Sequence, residues 1–285
     1  VLSLQDVHDV LSHINSCLCS GKMQRLKLLS MIRLHYAAPY DWSGILNFLR
    51  PRAIAGVETV TDDAYERNGV RVTNVGDALI ASDASEADRV RTMFDVDADI
   101  TAIEKHFARD KTLGPLVRKF PGIRVPGTWD PFEMAIRAIV GQQISVAGAT
   151  TLMARIAARH GVTPQSLVRA RTNPGMPQAR WDTIRGLARA VARGDVTFER
   201  GATLDESIAT LTKLPGIGPW TAHYIAMRAL REPDAFPHTD LGIRKAAGMI
   251  TDRELLCRAE AWRPYRAYAT MLLWRSLSPP LRVSA

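Results

Sequence analysis

The nine residues Leu214-Pro215-Gly216-Ile217-Gly218-Pro219-Trp220-Thr221-Ala222 constrain this chain more than any other stretch. A helical pattern precedes them and another follows. Gly216 and Gly218 can take positive φ and let a second backbone come close, and Pro219 suits the first turn of the next helix. The string predicts a tight hairpin whose free amides face outward at a helix N-terminus, a nest that attracts phosphate. A lone Gly-x-Gly is more often a plain turn between packed helices. The whole string is far more restrictive. Asp240 follows 22 residues after Gly218, in Phe236-Pro237-His238-Thr239-Asp240-Leu241-Gly242-Ile243-Arg244. Taken alone, it reads as a helix N-cap or as an i,i+4 partner of Arg244.

A phosphate nest implies a basic frame. Residues 1–100 carry 10 Lys and Arg against 14 Asp and Glu, whereas residues 101–285 carry 27 against 15. The back two-thirds is the candidate polyanion-binding part, with solvated Arg-rich helix surfaces as the alternative. Lys213, Arg228, Arg244, Lys245 and Arg180 lie near the motifs. No apolar run is long enough to cross a bilayer and no signal pattern opens the sequence, so a soluble intracellular protein with no membrane partner is expected. Cys17, Cys19 and Cys257 are odd in number and lack zinc-site spacing, which reads as idle thiols in a reducing compartment. No clustered carboxylates suggest a metal-dependent nuclease.

The pattern along the chain divides it. Residues 1–29 read as one or two short helices of unknown role. Met31 to Tyr36 looks like a strand, and Asp41 can cap a helix carrying Ile45, Leu46, Phe48 and Leu49. Strand-like stretches at 57–66, 69–75 and 78–82 follow, separated by turn residues such as Asn68-Gly69 and Gly76-Asp77. Beyond Ser85 the periodicity is helical, in pieces at 86–94, 97–107, 130–142, 146–160, 179–193, 204–213, 220–230, 240–249, 253–262 and 265–277. Asp130-Pro131-Phe132-Glu133 is a strong helix start. The expected organisation is α+β: an N-terminal extension 1–29, an antiparallel α/β unit 30–95, and a helical region 96–285 with a helix–hairpin–helix at 204–230.

The hairpin string together with an Asp at this distance resembles the helix–hairpin–helix DNA glycosylase superfamily. Four further features are similar to its bacterial 3-methyladenine DNA glycosylase II (AlkA) branch: Pro39-Tyr40-Asp41-Trp42, Val57-Glu58-Thr59-Val60, the run from Ala138 to Val146 through Gly141-Gln142-Gln143, and Trp262-Arg263-Pro264-Tyr265 onward. The resemblance runs from about Ile32 to about Ser278. It departs in two places, where the segments 161–178 and 248–252 are short. It implies a TATA-binding-protein-like α/β N-terminal domain before an all-α glycosylase domain pair. It also implies that Asp240 is catalytic, and that Gly216, Ile217, Gly218 and Thr221 hold a DNA phosphate. A structural Na+ or K+ is implied at the Leu214 and Gly216 carbonyls. Gln143, with Gln142 beside it, takes the wedge position that fills the space left by a flipped base; capping of their own helix is the alternative. Members that also cleave the backbone carry Lys where Trp220 stands, to form a Schiff base, and members with an iron–sulfur cluster need four close cysteines. Neither activity nor cluster is expected, and no organic cofactor.

The chemistry follows. An N-glycosidic bond inside a duplex is out of reach until the nucleotide is rotated out, at a cost of roughly a few kcal/mol. Trp220 and Tyr224 share a helix face, and by resemblance Trp274 and Phe48 join them in a base pocket; aromatics at helical spacing otherwise read as core. An alkylated purine is cationic, and a cation over an aromatic face gains about 0.5–2 kcal/mol. Such a base already leaves readily, so the need is for an anion near C1′, the electrostatic role open to Asp240. The expectation is a monofunctional glycosylase for alkylated bases in duplex DNA, monomeric by resemblance, cytoplasmic and nucleoid-associated if bacterial. The alternatives are a non-catalytic helix–hairpin–helix binding module and a glycosylase for another lesion.

Overall fold

The structure, a computed structural model, describes residues 30–199 and 201–277. The extension 1–29, with Cys17 and Cys19, lies outside the described residues.

Five strands, β1 (Ile32–His35), β2 (Glu58–Val60), β3 (Ala64–Arg67), β4 (Val70–Val75) and β5 (Ala78–Ala81), form one antiparallel sheet in the order β1-β5-β4-β3-β2. Asn68 and Gly69 both lie at positive φ, so β3 and β4 are joined by a two-residue turn of the kind whose twist matches the strands. Arg67 consequently pairs with Val70. The stretch 57–66 is not one strand. Thr61 Oγ donates to the Asp63 carboxylate and accepts the Ala64 N–H at 3.0 Å, and that side-chain turn folds β2 back on β3.

Helices α1 (Trp42–Leu49) and α2 (Ala87–Phe94) share a core with the sheet. Leu34, Tyr65, Val72, Leu79 and Ala81 meet Ile45, Leu46, Leu49, Val90 and Phe94 there. The Asp41 carboxylate caps α1 through Gly44 N at 2.8 Å.

The helical part is built on two further cores. One gathers α5 (Pro131–Val140), α6 (Val146–His160), α7 (Pro164–Arg169), α8 (Gln178–Arg193) and α9 (Leu204–Thr212) around the first turns of α10 (Pro219–Ile225). The other gathers α3 (Ile100–Phe107), α4 (Leu113–Lys119), α11 (Leu241–Ala246), α12 (Asp252–Ala259) and α13 (Arg266–Leu277). All eight residues from Arg266 to Leu273 are buried, so the first two turns of α13 are enclosed on every side. Trp274, the next residue, packs against both helical cores.

Two short helices, α4 and α7, stand in stretches whose sequence carries no helical periodicity. Gly114-Pro115 and Pro164 look like breakers, yet each proline sits in a first turn, where its missing N–H costs nothing. The sheet is tied to α5 by a buried bidentate pair, Arg67 with Glu133, both bonds 2.8 Å.

Candidate active site

The hairpin is locked before it meets any ligand. Ile217 N–H donates to the Leu214 carbonyl at 3.1 Å, and Gly216 lies at φ +85 with no room for a side chain, since a Cβ there would sit 2.0 Å from Thr183 Oγ on α8. Gly218 takes an ordinary φ of −90 as the N-cap of α10. Positive φ, open to both glycines, is found only at Gly216. Ile217 is buried in the core and its amide is consumed by the turn, while the Thr221 side chain is 2% exposed and faces inward. The Gly216 and Gly218 amides bond to no other described residue.

The turn between α5 and α6 is braced to this hairpin. Gln142 Nε2 donates to the Gly216 carbonyl and to Thr221 Oγ, both at 2.9 Å, and Arg180 Nη2 donates to the Gln142 carbonyl at 2.7 Å. Gln142 is therefore a strut and not a wedge, because its amide is committed inward. Gln143 is exposed at φ 56 on the tip of the same turn.

Asp240 caps α11, with Oδ1 accepting from Ile243 N at 3.0 Å. The same carboxylate accepts two indole N–H bonds, Trp274 to Oδ1 at 2.9 Å and Trp220 to Oδ2 at 3.1 Å. Arg244, the alternative partner, is turned to Asp252 at 3.3 Å. Among the described residues no ion pair neutralises Asp240, so its anion is oriented by neutral donors and kept available to a positive charge.

Trp220, Tyr224, Trp274 and Phe48 line one cavity of about 1440 Å³ together with Asp240, Gln142, Gln143 and Gly218. Trp220 and Tyr224 stack at 5.3 Å with 10° between planes, Tyr224 and Trp274 are 6.1 Å apart, and Trp274 lies 6.2 Å from Phe48. The sequence-derived aromatic set thus converges on one site beside the carboxylate.

Several basic side chains are placed otherwise than expected. Arg228 is 1% exposed on a π-helical turn, Ala226–Leu230, that continues α10. It donates to the Pro126 and Gly127 carbonyls and to Tyr224 Oη at 3.1 Å, so it cannot contact a phosphate. Arg180 and Arg244 are likewise engaged, which leaves Lys213 and Lys245 exposed near the hairpin and α11. Arg228 and Arg52 also lie over the Phe48 ring, 4.8 and 3.8 Å from its centroid. Phe48 accordingly spends its electron-rich faces on the protein's own cations. Burial acts to raise the Tyr224 hydroxyl pKa, but Arg228, Arg52 and Arg137 overcome it and hold that group below its ordinary value.

Arg52 and Arg137 line the cavity and escaped the sequence reading. A signal existed for Arg137, the lone base in Ala135-Ile136-Arg137-Ala138-Ile139-Val140, where every neighbour is buried. Among the described residues no group of three or more His, Cys, Asp and Glu is placed to hold a metal.

The AlkA N-terminal domain family matches residues 31–86 and 68–130. The chain is 36% identical over 285 residues to a probable bifunctional transcriptional activator/DNA repair enzyme AlkA of Mycobacterium tuberculosis, covering 88% of this chain but 58% of that protein. It is 33% identical to DNA-3-methyladenine glycosylase 2 of Escherichia coli, over 86% of this chain and 96% of the relative. A 3-methyladenine DNA glycosylase structure from Archaeoglobus fulgidus superposes with a TM-score of 0.70 at 19% identity, over 85% of this chain and 97% of that one, which speaks for the fold alone. The sheet, the helical cores and these alignments, nearly end to end with the Escherichia coli protein, agree: the chain belongs to the AlkA family of DNA-3-methyladenine glycosylases.

Proposed function

We propose that this chain is a monofunctional DNA glycosylase that takes an alkylated base out of duplex DNA and hydrolyses its N-glycosidic bond, leaving an abasic site. The observation that carries this reading is the un-neutralised Asp240 carboxylate, held by two indoles at the wall of an aromatic cavity. A binding module has no use for such a carboxylate. In this reading the Gly216 and Gly218 amides grip a backbone phosphate, and the exposed Gln143 enters the gap in the base stack from the adjoining turn. The flipped base lies against Trp220, Tyr224 and Trp274. As the C1′–N bond breaks, positive charge grows on the sugar, and Asp240 stabilises it and orients the attacking water. Trp220 has no amine to form a Schiff base, so the strand is left intact.

A hard monovalent cation fits the donor type at the hairpin. The Leu214 and Gly216 carbonyls each accept one hydrogen bond within the chain and retain a second lone pair. Held there, such a cation would supply positive charge beside the phosphate. The protein is taken to act as a monomer.

The test is single-turnover release of 3-methyladenine and 7-methylguanine from methylated duplex DNA, with strands examined before and after alkali. Base release with nicks only after alkali is expected. Nicks before alkali would refute the monofunctional assignment, and no release with DNA binding intact would refute the alkyl-base assignment.

A further inference from the structure

The cavity contains one feature that a pocket for cations does not explain. Arg137 on α5 is 8% exposed and lines the cavity, and its Nη2 is buried without a hydrogen-bond partner. The two carboxylates nearest to it in charge are Glu58 and Glu133, and both are engaged. Glu133 gives each oxygen to Arg67 at 2.8 Å. Glu58 accepts from Ile54 N at 3.1 Å and from the Tyr65 hydroxyl at 2.8 Å. A buried guanidinium nitrogen left without an acceptor is costly, and the side chain that carries it lines the space a flipped base would occupy. Arg52 lines the same space, so the wall concentrates positive charge where a cationic base gains nothing from it.

We infer that Arg137 is a specificity-determining residue that donates a hydrogen bond to a carbonyl acceptor on a flipped neutral base and stabilises that base as it leaves. The inference rests on the glycosylase reading above. The reaction differs between the two kinds of base. When the C1′–N bond breaks, both electrons stay with the base. A cationic base then departs neutral. A neutral base departs as an anion, its charge shared with the carbonyl oxygen, until it takes up the proton that water releases on bonding to C1′. Only the second case places negative charge opposite the guanidinium, where a charge-assisted bond strengthens in the transition state.

The experiment compares single-turnover release of hypoxanthine, neutral and carbonyl-bearing, with release of 3-methyladenine, cationic and without a carbonyl. Wild type, Arg137→Met and Arg137→Lys are run together, each checked for binding to abasic-site DNA. The expected result is that Arg137→Met loses hypoxanthine release at least tenfold more than 3-methyladenine release, and that Arg137→Lys recovers part of the difference. Equal losses for both bases, or no loss, would overturn the inference, as would a wild type that releases 3-methyladenine but no hypoxanthine. A wild type that binds abasic-site DNA and releases neither base fails at the earlier step, the glycosylase reading itself, and takes the inference with it.

Discussion

Replacing Asp240 by Asn separates its two jobs, because the amide keeps one oxygen and loses the charge. In the structure Oδ1 serves Ile243 N and Trp274 Nε1 at 3.0 and 2.9 Å, and Oδ2 serves Trp220 Nε1 at 3.1 Å. Asn can leave its oxygen at the first pair of donors, so the cap of α11 survives. Its NH2 then faces the Trp220 N–H, donor against donor. A stranded donor costs about 1–3 kcal/mol, and the half-buried setting of Trp220 and Asp240 puts the effect at the lower end. At about 2–4 °C per kcal/mol for a chain of this size, Tm should fall by only a few degrees. Catalysis should fall much further. Losing one preorganised group aimed at transition-state charge typically costs about 10²–10³ in rate, and here a full charge is removed. Single-turnover release of 3-methyladenine should therefore drop at least about 100-fold, while binding to abasic-site DNA persists. A variant within threefold of wild type would refute the electrostatic role. Parallel loss of rate and of abasic-site binding would reduce Asp240 to a structural cap.

Three other perturbations test the frame around the site. Gly216→Ala must strain a residue at φ +85 and drive a methyl into Thr183 Oγ; it should cost at least about 1–2 kcal/mol and weaken duplex binding, read by urea titration and by filter binding at two salt concentrations. Arg67→Met leaves Glu133 buried without its partner, and unfolding free energy should fall by about 3–5 kcal/mol; a loss under 1 kcal/mol would mean that the tie between sheet and α5 contributes little. His223 is held down to about 4 by burial and then by the nearby charges of His238 and Arg266, and its Nδ1 accepts the Phe236 N–H at 3.3 Å. The unfolded state takes up this proton below about pH 6.5 and the folded state only near 4, so stability is full above that window and declines as pH falls through it, by about 1–3 kcal/mol. The pH dependence of urea unfolding should flatten in His223→Gln, and an unchanged profile would remove His223 from the account.

Much of the fold was legible because its signals are local. Asn68-Gly69 makes its turn with its own backbone, and Asp130 with Glu133 starts α5 through the Glu133 N–H bond to Asp130 Oδ1 at 2.8 Å. The failures occur where a local sign is overruled or hidden. Thr61 to Asp63 turns through side-chain bonds inside what reads as one β run. Leu113–Lys119 looks broken by Gly114-Pro115, yet Asp110 Oδ1 accepts both the Thr112 and Leu113 amides at 2.7 Å and starts the helix there. The contrast between Gly216 and Gly218 is of the same kind. Either can take positive φ, and only Gly216 does, at φ +85 with Thr183 of α8 packed against it.

The site divides along a similar line. Trp220 and Tyr224 are readable because helical spacing puts them on one face, and Asp240 through the resemblance that pairs such a hairpin with an Asp at this distance. The charges around them are not, because a guanidinium's role depends on which acceptors reach it. Arg228 has an ordinary position beside the motif, and the structure sends it inward to two carbonyls and a phenol. Arg137 looks like an error in an apolar helix until Glu133 is seen fully occupied by Arg67. These two arginines change the chemistry expected of the pocket. An aromatic cage alone favours a cation at every ring. Here Phe48 already faces two guanidiniums, and the Tyr224 hydroxyl accepts from Arg228 within a field set by three. Attraction to a cationic base is therefore left chiefly to Trp220 and Trp274, the two rings that also hold Asp240. In the proposed reaction, recognition of the base and stabilisation of the sugar cation would run through the same pair of indoles, and a change to either indole should move both substrate affinity and rate.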